Sequence, residues 1–255
     1  MTSAPGVHAR PLTEVAPGVW TAVAETWTSQ TTVVVASDGR CLVVDPGITV
    51  AEVESLARAV HERGWRVVAG FSTHAHWDHL LWASSLGDVP RWSTARTAAL
   101  AAGALPAAAA EAETVAPGHD LMLLSRLTPL PVGATEVPWD GPQVLVVGHD
   151  GHSRGHAALV VPGARALLAG DMLSDLEIPL LDVDAADAIA SYDAGLDLIE
   201  EGAHLHDVTV VVPGHGHVGD AAELARRFAA DRAYLADLVD GRRSTDPRLE
   251  LRAGR

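Results

Sequence analysis

The sequence predicts an α/β fold, two mixed β-sheets packed face to face with helices outside, and three observations carry that prediction. The chain has 255 residues, 48% of them hydrophobic and 20% charged, which is enough to build a large core. A hairpin, a helix and a strand follow one another in that order twice, once in each half. The closing strands of both units run directly into aspartate or histidine, which sets polar side chains from the two halves at one rim. One domain over residues 1–255 is expected, with halves at about 19–95 and 144–240.

The first 18 residues read as irregular. Strand-like runs then occupy Val19–Glu25, Thr31–Ala36 and Cys41–Val44, the last two joined by Ser37-Asp38-Gly39-Arg40, and Asp-Gly between β-branched runs signals a hairpin. After Asp45-Pro46-Gly47, Thr49 and Glu52 make a capping box. Val53, Leu56, Ala57 and Val60 follow at helical spacing, and Gly64 stops the helix. Arg66–Phe71 is strand-like and ends in Ser72-Thr73-His74.

In the second unit His156–Val161 and Ala164–Ala169 flank the hairpin signal Pro162-Gly163, and the second of these strands runs into Gly170-Asp171. Asp184 is expected to cap a helix with Ile189, Tyr192, Leu196 and Ile199 on one face, and Gly202 to stop it. Val208–Val212 then leads into Pro213-Gly214-His215. Between the units, 96–143 holds an Ala-rich stretch broken by Gly103 and Pro106 and a Pro- and Gly-rich stretch, Thr128–Gln143. It reads either as a broken surface helix with a meandering connection or as a lid over the rim. A last helix, Ala221–Val239, opens at Asp220 with Glu223 three residues on and turns Leu224, Phe228, Leu235 and Leu238 inward. The tail 242–255 is expected to fray.

Charge excludes several functions. Asp and Glu number 33 against 18 cations, a net charge of −15, and every cation is arginine. A chain without a basic face has little with which to displace counterions from nucleic acid or to hold an anionic membrane, so neither partner is expected. No apolar run approaches the length of a transmembrane helix and the first residues lack a signal-peptide pattern, so a cytoplasmic protein acting on a small molecule is expected. Cys41 is the one cysteine; it sits in an apolar strand run and reads as core.

The strongest signal is His74-x-His76-x-Asp78-His79, whose chance expectation is roughly 0.003 per chain at this histidine and aspartate content. At a strand end, alternation sends His74 and His76 to one side, where two imidazoles can bind one divalent ion, while the turn beyond lets Asp78 and His79 reach a neighbouring one. Imidazole with a few carboxylates suits zinc; manganese, iron and cobalt accept the same donors. Spacing alone leaves His149, His152 and His156 as competing ligands, and leaves Asp171 and Asp45 open to simple turn roles. His217, His61, His119, His204 and His206 read as surface or cap residues.

With three further motifs in order, Gly151-His152-Ser153-Arg154-Gly155-His156, Leu168-Ala169-Gly170-Asp171 and Pro213-Gly214-His215-Gly216, the chain resembles the metallo-β-lactamase superfamily over nearly its whole length. The resemblance implies an αββα sandwich with the site at its rim. It puts His74, His76 and His152 on one metal and Asp78, His79 and His215 on a second, with Asp171 between them. His156 becomes a supporting or packing histidine, and Asp45 resembles the family's buried aspartate behind the ligands. Two Zn2+ per chain are expected, with a hydroxide bridging them as nucleophile; Asp171 sets the pair, and Asp78 or a water protonates the leaving group.

Trp27, Trp77 and Ser174 are candidate substrate contacts. Ser174 stands where some lactone-cleaving relatives have a tyrosine, which counts against a narrow lactonase reading. The expected activity is hydrolysis of a small ester, thioester, lactone or amide. The alternatives on the same scaffold are a β-lactamase and a non-haem iron oxidoreductase resembling persulfide dioxygenases, which use one metal site.

Overall fold

The computed structural model describes residues 11–181 and 187–252. Among them, two sheets form the centre. In chain order the elements are β1 (Thr13–Ala16), β2 (Val19–Val23), β3 (Gln30–Val35), β4 (Arg40–Val44), α1 (Val50–Glu62), β5 (Arg66–Phe71) and β6 (Arg91–Ser93). Then come α2 (Ala95–Gly103), α3 (Leu105–Val115), β7 (Thr128–Pro129), β8 (Leu145–Gly148), β9 (Ala157–Val161) and β10 (Ala166–Gly170). The chain closes with α4 (Ala188–Leu205), β11 (Val210–Pro213), β12 (Gly219–Asp220), α5 (Ala221–Val239) and α6 (Arg248–Arg252).

The first sheet runs β1-β2-β3-β4-β5-β6-β7 and the second β12-β11-β10-β9-β8. Both are mixed. β3 and β4 pair antiparallel and β5 joins β4 in parallel through α1; β9 and β10 pair antiparallel and β11 joins β10 in parallel through α4. Each half therefore turns two parallel strands the same way, and the residues just past their C-terminal ends, Asp45, His74, Asp171 and His215, collect at one edge.

Strand alternation builds the layers. Leu42 and Val44 face Leu159, Val161, Leu168 and Val212 in a core shared by both sheets, while Cys41 and Val43 turn outward onto Val53, Leu56 and Val60 of α1. On the other side Ala158, Val160 and Leu167 receive Tyr192, Leu196 and Ile199 of α4 and Leu224 and Phe228 of α5. The helix starts follow their sequences: Thr49 and Glu52 form a reciprocal capping box at α1, and Asp220 accepts from the Glu223 N–H at the start of α5.

Several expectations are corrected. Thr13–Ala16 is an edge strand paired with β2 rather than irregular chain. α4 passes through Gly202 to Leu205; a Cβ at Gly202 would meet Val147 at 3.3 Å, so the glycine lets the helix lie close on the sheet instead of ending it. Asp184 lies outside the described residues, and α4 follows Asp187, whose side chain makes no capping bond. The tail is docked rather than frayed through residue 252: α6 buries Arg248 in an ion pair with Asp231 at 2.6 Å.

The stretch 96–143 divides into the broken helix pair α2 and α3, the edge strand β7 and a connection to β8. α2 and α3 bury Ala101, Ala108 and Ala112 against Trp77, Leu80 and Leu81, so they support the metal-motif loop from behind.

Gly70 tests this packing. A Cβ there would lie 2.7 Å from the Trp82 ring and 3.2 Å from Arg91 Cγ, both buried. Gly70→Ala is expected to destabilise the fold by about 1–3 kcal/mol, as forced overpacking does. Denaturant unfolding that shifts by less than about 0.5 kcal/mol would show that the indole moves aside freely.

Candidate metal centre

His74 and His76 follow the end of β5, His76 in extended backbone, and a single 3-10 turn over Trp77–His79 then redirects the chain, with the His79 N–H donating to His76 O at 3.1 Å. The turn sends Asp78 and His79 to a second group of donors. Nitrogens of His74, His76 and His152 gather with Asp171, and Asp78, His79 and His215 gather beside them, the donor atoms within each group lying within 4.8 Å of one another.

The supporting hydrogen bonds fix which nitrogen points inward. Thr73 Oγ1 donates to Asp45 Oδ2 at 2.6 Å, so at 3.0 Å from His74 Nδ1 it accepts that nitrogen's proton and leaves Nε2 as a lone pair. His79 Nδ1 donates to Asp45 Oδ2 at 2.9 Å, and His152 Nδ1 to Leu180 O at 3.2 Å. Ser29 Oγ donates to Thr26 O and accepts from His215 Nδ1 at 3.0 Å. In all four rings the outer nitrogen is occupied and Nε2 faces inward, the arrangement that metal-binding imidazoles require.

Those inward atoms crowd one another. His74 Nε2 and His152 Nε2 lie 2.9 and 3.1 Å from His76 Nδ1, and His79 Nε2 lies 3.4 Å from His215 Nε2. His215 Nε2 is 3.2 Å from Asp78 Oδ2 and 3.3 Å from Asp171 Oδ2, and His79 Nε2 is 3.1 Å from Asp171 Oδ1, which is buried without a donor. Donors 2.0–2.1 Å from a tetrahedral ion are about 3.3 Å apart, so these separations suit atoms around a cation. One cation in each group would satisfy all of these facing nitrogens and carboxylate oxygens at once, and the donor set therefore fits metal ions.

Electrostatics separates the two groups. Burial pushes His152 down to about 3 and His74 well below the usual imidazole range, with the neighbouring imidazoles adding to the effect. Burial opposes charge at His215 and His79 too, but the Asp171 and Asp78 carboxylates outweigh it; His215 rises to about 10 and His79 well above its ordinary value. Both carboxylates are held below the ordinary range, burial again opposing and the facing imidazoles winning. The second group is thus the one that demands positive charge.

The structure brings the seven named donors together and places Asp45 behind them, accepting from Thr73 N, Thr73 Oγ1 and His79 Nδ1. His156 is fully buried, its Nε2 accepting from the Asp171 N–H at 3.2 Å and its Nδ1 3.1 Å from His149 Nε2. His149 lies in a loop but is buried, and burial lowers it to about 4.

His119 is no surface residue: its Nε2 donates to Ile48 O at 2.8 Å behind the Asp45 turn. Trp27 stands edge-on to Trp77, their centroids 5.8 Å apart, and 6.1 Å from the His215 ring. Ser174 donates to His215 O at 2.6 Å and accepts from the N–H groups of Leu176 and Glu177. Thr73 and Ser29 were not foreseen. Nothing in a Ser-Thr-His or Thr-Ser-Gln run tells that its hydroxyl will orient an imidazole.

The family model of the metallo-β-lactamase superfamily matches residues 26–215, a span containing every donor named above. The chain belongs to the metallo-β-lactamase superfamily. Its fold is shared with solved metallo-β-lactamase structures: DIM-1 superposes with a TM-score of 0.64 at 19% identity over 88% of this chain and 98% of the other. A β-lactamase domain protein from Burkholderia ambifaria gives 0.65 at 22%, covering 91% and 77%. A metallo-β-lactamase from Pontibacter korlensis gives 0.61 at 22%, covering 86% and 97%. Likeness at this identity establishes the metallo-β-lactamase fold. A search of curated proteins gives no match. No helix among the described residues is long and apolar enough to cross a membrane.

Proposed function

We propose that this metallo-β-lactamase-fold chain is a dinuclear zinc hydrolase of a small ester, thioester, lactone or amide. The observation that carries the reading is the convergence of five inward-facing imidazole nitrogens and two carboxylates, in two groups that share Asp171 as a neighbour. His74, His76 and His152 would hold one ion, Asp78, His79 and His215 the other, with Asp171 between them. When bound, the ions would lower the pKa of a water at their centre and polarise the carbonyl to be attacked.

The chain's own residues do the rest. Asp45 and Thr73 keep His74 and His79 in one tautomer, and Ser29 does the same for His215. Asp78 is held as carboxylate by His79 and His215, which favours solvent over Asp78 as the source of the leaving group's proton. Half-buried Trp27, beside His215, offers an apolar wall to the acyl or leaving group, whereas Trp77 is 5% exposed and Ser174 is occupied by backbone bonds. A small neutral or apolar substrate is consistent with the net charge of −15.

A panel of ester, lactone, thioester and β-lactam substrates, offered to metal-loaded and chelator-stripped protein, tests the proposal. Hydrolysis of at least one class, lost on stripping and restored by Zn2+, is expected. Turnover unaffected by stripping would contradict it.

A further inference from the structure

We infer that Arg227 and Arg248 are positioning residues for the second metal position, acting on the backbone that carries Asp171 and His215; the inference rests on the metal-centre reading above. Both guanidiniums are buried, 3% and 5% exposed, in a chain whose other arginines mostly lie at the surface. Arg227 sits on α5 and Arg248 on α6, and neither is among the seven donors.

Arg227 spans two loops with one planar fork. Its Nη1 donates to Leu173 O at 3.2 Å and its Nη2 to His217 O at 2.8 Å. Leu173 lies two residues after Asp171, and His217 two residues after His215, so one side chain ties the two ligand-bearing loops to each other. The tie has something to hold, since Leu173 has φ +57°, a left-handed conformation that leucine adopts only when its surroundings impose it. Asp175 and Glu223, 3.6 and 3.4 Å away, balance the buried charge.

Arg248 acts on the same loop from the other side. Its Nη1 alone reaches Ser174 O at 2.9 Å, Glu177 O at 3.0 Å and Asp231 Oδ1 at 2.6 Å, while Asp246 holds Nε and Nη2. Ser174 in turn donates to His215 O. The docked tail thus reaches the second metal position through a single intervening residue.

The different use of the two forks supplies the test. At Arg227 two nitrogens serve the two ligand loops, which a lysine ammonium cannot span; at Arg248 a single nitrogen serves the carbonyls of the ligand loop, Ser174 O and Glu177 O, so a lysine keeps that contact while giving up the bidentate pair with Asp246 of the tail. Chelator-stripped full-length protein is titrated with Co2+ alone and the visible absorption of the bound ion is followed through both binding steps.

Arg227→Met, Arg227→Lys and Arg248→Met are expected to weaken the second step by about tenfold or more and leave the first unchanged, and Arg248→Lys to stay within about twofold of the parent chain. Second steps that agree within about twofold in all four variants, or both steps weakening together, would overturn the inference. Loss of the folded circular dichroism spectrum in both lysine variants would overturn it as well, by making the arginines supports of the whole fold. A parent chain that binds fewer than two Co2+ would instead overturn the metal-centre reading, and this inference with it.

Discussion

Asp171→Ala is expected to abolish hydrolysis, leaving less than about a tenth of the parent rate, while the protein stays folded. The residue follows the end of β10, and its carboxylate oxygens touch both donor groups: Oδ2 lies 3.6 Å from His74 Nε2 and 3.6 Å from His152 Nε2, Oδ1 3.1 Å from His79 Nε2. Removing it takes away the one carboxylate both ions would share and a negative charge facing four imidazoles, so the two cations would lose their common anion. The sandwich core of Val44, Phe71, Leu159, Leu168 and Val212 does not depend on it. Circular dichroism and thermal unfolding should therefore stay close to those of the parent while bound metal falls below two ions. A variant retaining more than about a tenth of the rate would deny Asp171 this role.

Acidification is expected to strip the second position before the first. Metal binds only to deprotonated imidazole, and the proton affinities of the two groups lie on opposite sides of the ordinary value. His215 rises to about 10 and His79 is also raised, so protons already compete there at neutral pH; His152 falls to about 3 and His74 is lowered. Between pH 8 and pH 6 the second binding step should weaken by about tenfold per unit for each proton displaced, with a much smaller change in the first. Metal titrations at several pH values check this, and equal pH dependence of both steps would contradict it.

The metal-free chain carries matching signs. The raised His215 contributes stability that is full below its unfolded value near 6.5 and is lost as pH rises toward 10. The depressed His152 and His149 contribute stability present above 6.5 and lost as pH falls toward 4 and 3.

What was legible in the sequence was whatever is local or periodic. The capping box at Thr49 and the acidic cap at Asp220 placed two helices, and the apolar run Cys41–Val44 after Asp38-Gly39 marked a strand with Cys41 in the core. His74 to His79 announced a metal site because its donors are contiguous, and His152, Asp171 and His215 became legible through family motifs at three other strand ends. What escaped depends on partners distant in the chain. Thr13–Ala16 is a strand only because β2 lies beside it, and Gly202 serves close packing of α4 on Val147 rather than a helix stop.

Arg248 looks like one more tail cation until Asp231, Ser174 and Glu177 are seen around it. His119 reads as polar surface until Ile48 O receives its proton. In each case a hydrogen bond or contact across many residues decides the outcome, and no local propensity encodes it.

Metal content measured by mass spectrometry, on protein purified without added metal, tests the central claim most directly. Seven donors in two groups predict about two zinc-class ions per chain, each held by at least three side chains and solvent. One iron per chain, with dioxygen consumed on turnover, would contradict the account.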